Sequence, residues 1–186
     1  MLSLPTIHSN FNELGPYTFF YRAMNAENTI YLDRDGVLNE VVLRDNEISS
    51  PRHKSEIKLA SDIKFLAKHI IVSKWNLVII TNQPDISRKF IDKQFLELIN
   101  NLIVKHVPIN MMLCCPHLKE SLCECRKPKT GMIDKFRQDY PKTVKEEFMI
   151  GDGFNDYECS KKANIKFIAR KRKYNIDLVR KSKYKV

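Results

Sequence analysis

The segment Ile30-Tyr31-Leu32-Asp33-Arg34-Asp35-Gly36 closes an apolar run with two carboxylates at i and i+2, followed by a glycine. Where a strand opens into a loop at the edge of an α/β sheet, ligands bind. A carboxylate there, Asp33, can attack a phosphorus atom, and Asp35 beside it can move protons. Asp-x-Asp also occurs as a turn or a calcium loop, so the pair alone leaves those readings open. A second apolar run, 148–150, leads into Gly151-Asp152-Gly153-Phe154-Asn155-Asp156. Asp152 brings a third carboxylate to the same edge, and three carboxylates at close range call for a cation. A hard divalent ion with oxygen ligands fits, and Mg2+ suits a phosphate substrate. Asp156 has two readings: it bonds a metal-held water or orients a lysine, or it is an acid favouring a helix N-terminus. Thr81 and Asn82 end a third run with donors for phosphate oxygens, or else make a cap or turn. Lys127 is placed to neutralise charge on a transferring phosphoryl group.

A second constellation is Cys115, His117, Cys123 and Cys125, a C-x-H-x5-C-x-C spacing. Three thiolates and one imidazole make a closed tetrahedral Zn2+ site, and a full protein ligand set marks a structural metal. The competing reading is a chance cluster of buried thiols beside a surface histidine. Cys114 faces the other way along its strand and, like Cys159 on a helix, reads as packing. Five cysteines in all, four of them between 114 and 125, argue against a disulfide framework and for a reducing compartment.

Strand and helix patterns alternate to position these groups. Strands are predicted at 29–32, 77–80, 111–114, 148–150 and 167–169. Helices are predicted at 62–74, 92–107, 132–140 and 155–163. The first carries Ile63, Leu66, Ala67, Ile70 and Ile71 on one face behind Ser61 as N-cap, and the second a stripe of Phe95, Leu98, Ile99, Leu102 and Ile103. This order implies an α/β fold, a Rossmann-like doubly wound parallel sheet with helices on both faces. Asp33, Thr81-Asn82 and Asp152 then share one sheet edge. Residues 1–28 read as an N-terminal extension that wraps the surface or frays, 29–170 as the domain with a zinc loop at 115–125, and 171–186 as a basic tail.

The chain has 186 residues, enough for one domain with a sizeable core. Its formal net charge is +10, from 32 basic and 22 acidic residues. Nucleic acid, an acidic surface or an anionic small substrate are all compatible with that excess. Much of it falls at 170–173 and 180–185 rather than among aromatics, which reads as a solvated end. No run is long and apolar enough to span a bilayer, and the first twelve residues lack the order of a secretory signal. The expectation is a soluble, cytoplasmic monomer without membrane contact.

Together, Asp33-Arg34-Asp35-Gly36, Thr81-Asn82-Gln83, Lys127 and Gly151-Asp152 through Asp156 resemble the four motifs of the haloacid dehalogenase (HAD) superfamily. The zinc pattern and Cys125-Arg126-Lys127-Pro128-Lys129-Thr130-Gly131-Met132 are similar to one branch of it. That branch holds heptose-1,7-bisphosphate phosphatases and histidinol-phosphate phosphatase domains. The resemblance implies Asp33 as nucleophile, forming an aspartyl-phosphate, and Asp35 as acid and then base. It implies Mg2+ on the Asp33 and Asp152 side chains and the Asp35 carbonyl, with Asp156 behind them. Thr81, Asn82 and Lys127 would hold the phosphoryl oxygens, and Arg126 and Arg88 the rest of the substrate. The spacers leave no room for a cap domain, so specificity falls to 41–53, 83–90 and the zinc loop. Residues 81–88 and 127–132 favour a sugar bisphosphate over histidinol phosphate; the short zinc spacer favours the reverse. A polynucleotide 3′-end phosphatase and a non-catalytic zinc-stabilised binding protein rank below both. Thr130, Lys89 and Gly153 depart from the branch, which usually has proline, glycine and a basic residue there.

Overall fold

Continuous apolar runs such as 77–80 and 111–115 suit strands covered on both faces, and both lie within a sheet whose two sides carry helices. The computed structural model describes residues 8–10, 15–69, 74–182 and 184–185. In chain order the elements are β1 (His8–Asn10), β2 (Tyr17–Phe20), β3 (Asn28–Leu32), β4 (Val42–Arg44), β5 (Glu47–Ser49), α1 (Ile63–His69) and β6 (Trp75–Asn82). There follow α2 (Lys93–Val104), β7 (Met111–Cys115), α3 (Gly131–Asp139), β8 (Glu147–Gly151), α4 (Phe154–Lys162), β9 (Lys166–Ala169), α5 (Ile176–Lys181) and β10 (Tyr184–Lys185).

The eight-stranded sheet has the order β1-β2-β7-β6-β3-β8-β9-β10. From β7 to β10 neighbouring strands run parallel, whereas β2 lies antiparallel to β7 and β1 antiparallel to β2. The chain winds outward from β3 through β6 to β7, then returns to β8 on the other side of β3. This reversal opens a crevice beyond the carboxyl end of β3, where Asp33 stands.

Alternation along the strands splits the core in two. Leu32, Leu77, Ile79, Met112 and Cys114 pack on one face with Ile63 of α1 and Leu96, Ile99 and Ile103 of α2. Tyr31, Val78, Ile80, Met111, Leu113 and Cys115 pack on the other with Met132, Ile133 and Phe136 of α3, Cys159 of α4 and Leu178 of α5. Cys114 and Cys159 are buried packing groups, as their pattern predicts.

The structure corrects several boundaries. The helix expected at 62–74 is seen as Ile63–His69; Ile70 and Ile71 lie outside the described residues. The strand expected at 77–80 extends over Trp75–Asn82, and the buried stripe of α2 runs through Leu96, Ile99 and Ile103 rather than Leu98 and Leu102.

Both ends differ more. Part of the expected extension is sheet: β2 pairs with β7, and Tyr17, Phe19 and Tyr21 are buried. Two buried asparagines fasten residues 23–25: Asn76 Oδ1 accepts from the Asn25 amide (3.0 Å), and Asn110 Nδ2 donates to Ala23 O (2.6 Å). Apolar burial thus extends the domain upstream of Thr29. The basic tail is likewise built in, because β10 pairs with β9 and Leu178 of α5 is buried. Arg170 pairs with Asp62 and is nearly buried, so not all of the C-terminal charge is solvated.

Candidate active site

The loop after β3 turns sharply at Gly36, whose φ of +82° favours glycine. A Cβ there would meet Asp152 Oδ2 at 1.9 Å, so glycine also permits the close approach of the loops after β3 and β8. Asp33, Asp152 and Asp156 converge, each offering an oxygen within 4.8 Å of the others. Burial, then the charge of Asp156, drives the Asp33 carboxyl well above the usual carboxylate range, although Lys127 opposes the shift. Burial and Asp156 also push Asp152 up, to about 6.

Lys127 bridges this group and is only 3% exposed. Its Nζ lies 2.9 Å from Asp33 Oδ1 and 2.7 Å from Asp156 Oδ1, and donates to Ile80 O at 2.8 Å. Burial alone would lower its pKa, but Asp156 and Asp33 outweigh burial and keep it charged. Asp156 makes two kinds of contact. Its Oδ2 accepts from the Gly153 amide (3.1 Å) at the start of α4, and its Oδ1 orients Lys127.

Asp35 stands apart from the three converging carboxylates. Arg34 Nη2 donates to its two oxygens at 3.1 and 3.0 Å, Asn39 Nδ2 at 2.8 Å, Ser50 Oγ at 2.8 Å and Gln83 Nε2 at 2.6 Å. Burial would raise its pKa, but Arg34 first, then Asn39 and Gln83, hold it below the usual range. The reading that Asp33, Asp35 and Asp152 crowd together is therefore corrected. Local donors capture the Asp35 carboxylate, and Asp156 takes its place beside the other two.

Thr81 and Asn82 end β6 at the crevice, but Asn82 has a further task. Its side chain donates to Lys127 O and accepts from the Lys127 amide, both at 3.0 Å, fixing the loop that carries the lysine. Thr81 Oγ1 accepts from Gln83 Nε2 at 2.9 Å. Arg126 and Arg88 line the crevice, tied respectively to His117 O and to Asp85, each at 3.1 Å.

The crevice measures 410 Å³, within the range of small-molecule sites. The 41–53 segment supplies one wall through the β4–β5 hairpin. Its turn at Asp45-Asn46 has positive φ at both residues, as tight hairpins require. Ile48 and Ser50 from that wall reach the crevice, as do Phe154 and Tyr174 from elsewhere.

Cys115, His117, Cys123 and Cys125 also meet, with one donor atom each within 4.8 Å. Cys123 Sγ lies 3.6 Å from both Cys115 Sγ and Cys125 Sγ, and His117 Nδ1 lies 3.2 Å from Cys125 Sγ. The bond from Cys125 lowers the Cys115 thiol to about 5 against the effect of burial, and the same bond, with burial, raises Cys125. The cluster joins the crevice: Gln83 N donates to Cys115 O at 2.7 Å, and Ser87 Oγ to Pro116 O at 2.7 Å.

Sequence reasoning missed Arg34, Ser50 and Asn39 around Asp35, and Tyr174 and Asn175 around Asp152. Arg34 and Asn39 lie within four residues of Asp35, which was the available signal; nothing local marks Tyr174.

The chain matches the polynucleotide kinase 3 phosphatase family over residues 31–179. It is 30% identical to a D-glycero-alpha-D-manno-heptose-1,7-bisphosphate 7-phosphatase of Photorhabdus laumondii, over 76% of this chain and 80% of that one. It is 28% identical to a D-glycero-beta-D-manno-heptose-1,7-bisphosphate 7-phosphatase of Helicobacter pylori, over 77% and 83%. The fold is shared with a HAD-like phosphatase of Mesorhizobium loti (TM-score 0.71, 19% identity, 88% of this chain and 83% of that one). It is shared too with a D,D-heptose 1,7-bisphosphate phosphatase of B. bronchiseptica complexed with magnesium and phosphate (TM-score 0.69, 21% identity, 84% and 88%). With a match across most of its length and a fold of the HAD type, the chain belongs to the polynucleotide kinase 3 phosphatase family.

Proposed function

We propose that this protein is a Mg2+-dependent phosphatase that removes one phosphate from a small sugar bisphosphate, D-glycero-D-manno-heptose 1,7-bisphosphate, through an aspartyl-phosphate on Asp33. The observation that carries the reading is the convergence of Asp33, Asp152 and Asp156 in a small crevice, with the buried Lys127 paired to Asp33 and Asp156. The names of relatives that the chain covers by about four-fifths supply the substrate. Those relatives include both anomers, so the anomer is left to experiment.

The residues fit Mg2+. Hard carboxylate oxygens converge, and burial with mutual repulsion makes them costly to ionise without a cation. Asp33 and Asp152 would hold the ion through their side chains and Asp35 through its carbonyl. When bound, the ion offsets charge on the transferring group. Asp33 attacks phosphorus, and the P–O bond to the sugar breaks as the new P–O bond forms. Lys127 and Thr81 face the phosphoryl oxygens, and Asn82 keeps Lys127 in place. Asp35 protonates the departing alkoxide, then takes a proton from the water that cleaves the aspartyl-phosphate. Its donors favour the ionised form, which is ready for the second half. For the first half it takes up a proton, which a singly ionised phosphomonoester can supply. Arg88 and Arg126 suit the second phosphate of a bisphosphate.

The Cys/His cluster fits Zn2+. A tetrahedral site with Zn–S near 2.3 Å has S–S edges of about 3.8 Å, against the 3.6 Å found here. The ion would be structural and would brace the loop bearing Arg126 and Lys127. Removing zinc by chelation, with the loss verified, is expected to lower both melting temperature and activity, the latter by about tenfold or more. Unchanged melting and activity after complete loss would contradict this role.

A second reading has two observations in its favour. The family's description names a 3′ phosphatase, and the chain carries a net charge of +10. Phosphate release from both heptose bisphosphate anomers, histidinol phosphate and a 3′-phosphorylated oligonucleotide, with Mg2+, separates the readings. Preference for a heptose anomer supports the sugar substrate. Preference for the oligonucleotide, with binding that falls steeply with salt, overturns it.

A further inference from the structure

Tyr174 lies in the segment between β9 and α5, far in sequence from every motif residue. Its hydroxyl nevertheless donates to Asp152 Oδ2, and its ring, 39% exposed, lines the crevice. Four further bonds fix that segment and seat it on the site. Asn175 is buried, and its Nδ2 donates to Asp152 O and Arg170 O, both at 2.8 Å. Its Oδ1 accepts from the Arg172 amide at 2.8 Å, which closes the turn. Arg172 Nε donates to Gly36 O at 2.7 Å, joining the same turn to the loop of Asp33 and Asp35. A Cβ on Gly36 would lie 2.6 Å from the Tyr174 hydroxyl, so that loop closes directly over the Tyr174–Asp152 contact.

We propose that Tyr174 is a positioning residue for the cation site: by occupying one oxygen of Asp152 it fixes the carboxylate rotamer that presents the other oxygen beside Asp33. The inference rests on the Mg2+ reading above. Without such a bond, repulsion from Asp33 and Asp156 favours turning Asp152 away from them. Position 153, next to Asp152, is glycine and offers no side-chain donor, whereas Tyr174 does donate to the Asp152 carboxylate. Partners that orient a metal ligand in this way commonly govern affinity by about 10–100-fold.

The test is direct Mg2+ titration by calorimetry on the full-length, zinc-retaining chain, comparing wild type, Tyr174→Phe and Asp152→Asn. The ring is kept in Tyr174→Phe, so the melting temperature of the Mg2+-free protein should match wild type. Its Mg2+ dissociation constant should rise about tenfold, and the Mg2+ concentration for half-maximal activity should rise by the same factor. Asp152→Asn should bind Mg2+ most weakly. Equal Mg2+ affinity in wild type and Tyr174→Phe overturns the proposal alone. So does a fall in affinity accompanied by an equal destabilisation of the Mg2+-free protein, because the hydroxyl would then serve only the fold. A wild-type chain that binds no Mg2+ overturns the underlying reading and the proposal with it.

Discussion

Asp33→Asn is expected to abolish phosphate release, by about 10⁴-fold or more, while leaving the fold intact. An amide keeps the shape of the side chain but cannot form the acyl-phosphate. The retained fold follows from the charges around it. Burial and Asp156 make the ionised Asp33 costly, and its raised pKa records that cost. A neutral amide at neutral pH relieves it. Lys127 loses one carboxylate partner but keeps Asp156 and the carbonyl of Ile80. The melting temperature of the Mg2+-free variant should therefore equal or exceed that of wild type. A calorimetric melt beside a phosphate-release assay checks both halves. Wild-type turnover in Asp33→Asn would remove Asp33 from the nucleophile's role.

Lys127→Ala should damage both activity and stability. The lysine is the one cation in direct contact with Asp33 and Asp156 among the described residues. Removing one partner of a buried ion pair typically costs about 3–5 kcal/mol, because the remaining charges stay buried. For a domain of this size that is roughly 10 °C in melting temperature. With the phosphoryl-binding role proposed for Lys127, its loss should also lower turnover by about 10²–10³-fold. Because the deficit is one of charge, Mg2+ should restore part of the lost stability. Melting curves with and without Mg2+ measure this directly. A variant as stable and active as wild type would show that the three carboxylates need no lysine.

The legible part of the sequence was its local chemistry. Asp33, Asn82 and Asp152 end apolar runs, and a parallel sheet brings strand ends to one edge, so their meeting could be expected. The spacing of Cys115, His117, Cys123 and Cys125 was legible because those side chains share few other uses at that density. Asp156 was left with two readings, and its carboxylate, with two oxygens, makes two kinds of contact. Asp35 lines the expected crevice, but its position on the backbone does not reveal which donors capture its carboxylate. Arg34, fully buried, looks like any surface arginine in sequence. Tyr17, Phe19 and Tyr21 alternate as the residues of a strand do, but Gly15 and Pro16 before them suggested a loose extension. Tyr174 and Asn175 reach Asp152 through long-range contacts from a basic stretch whose composition suggests solvent. No periodicity records such contacts.

The most direct test of the covalent reading is chemical trapping of Asp33 during turnover. Enzyme reacting with heptose 1,7-bisphosphate and Mg2+ is quenched, treated with borohydride and mapped by peptide mass spectrometry. Borohydride reduces an acyl-phosphate to an alcohol, so an aspartyl-phosphate would be recovered as homoserine. Homoserine at position 33, absent without substrate, is the expected result. Reduction at another carboxylate, or none while phosphate is being released, would contradict the account.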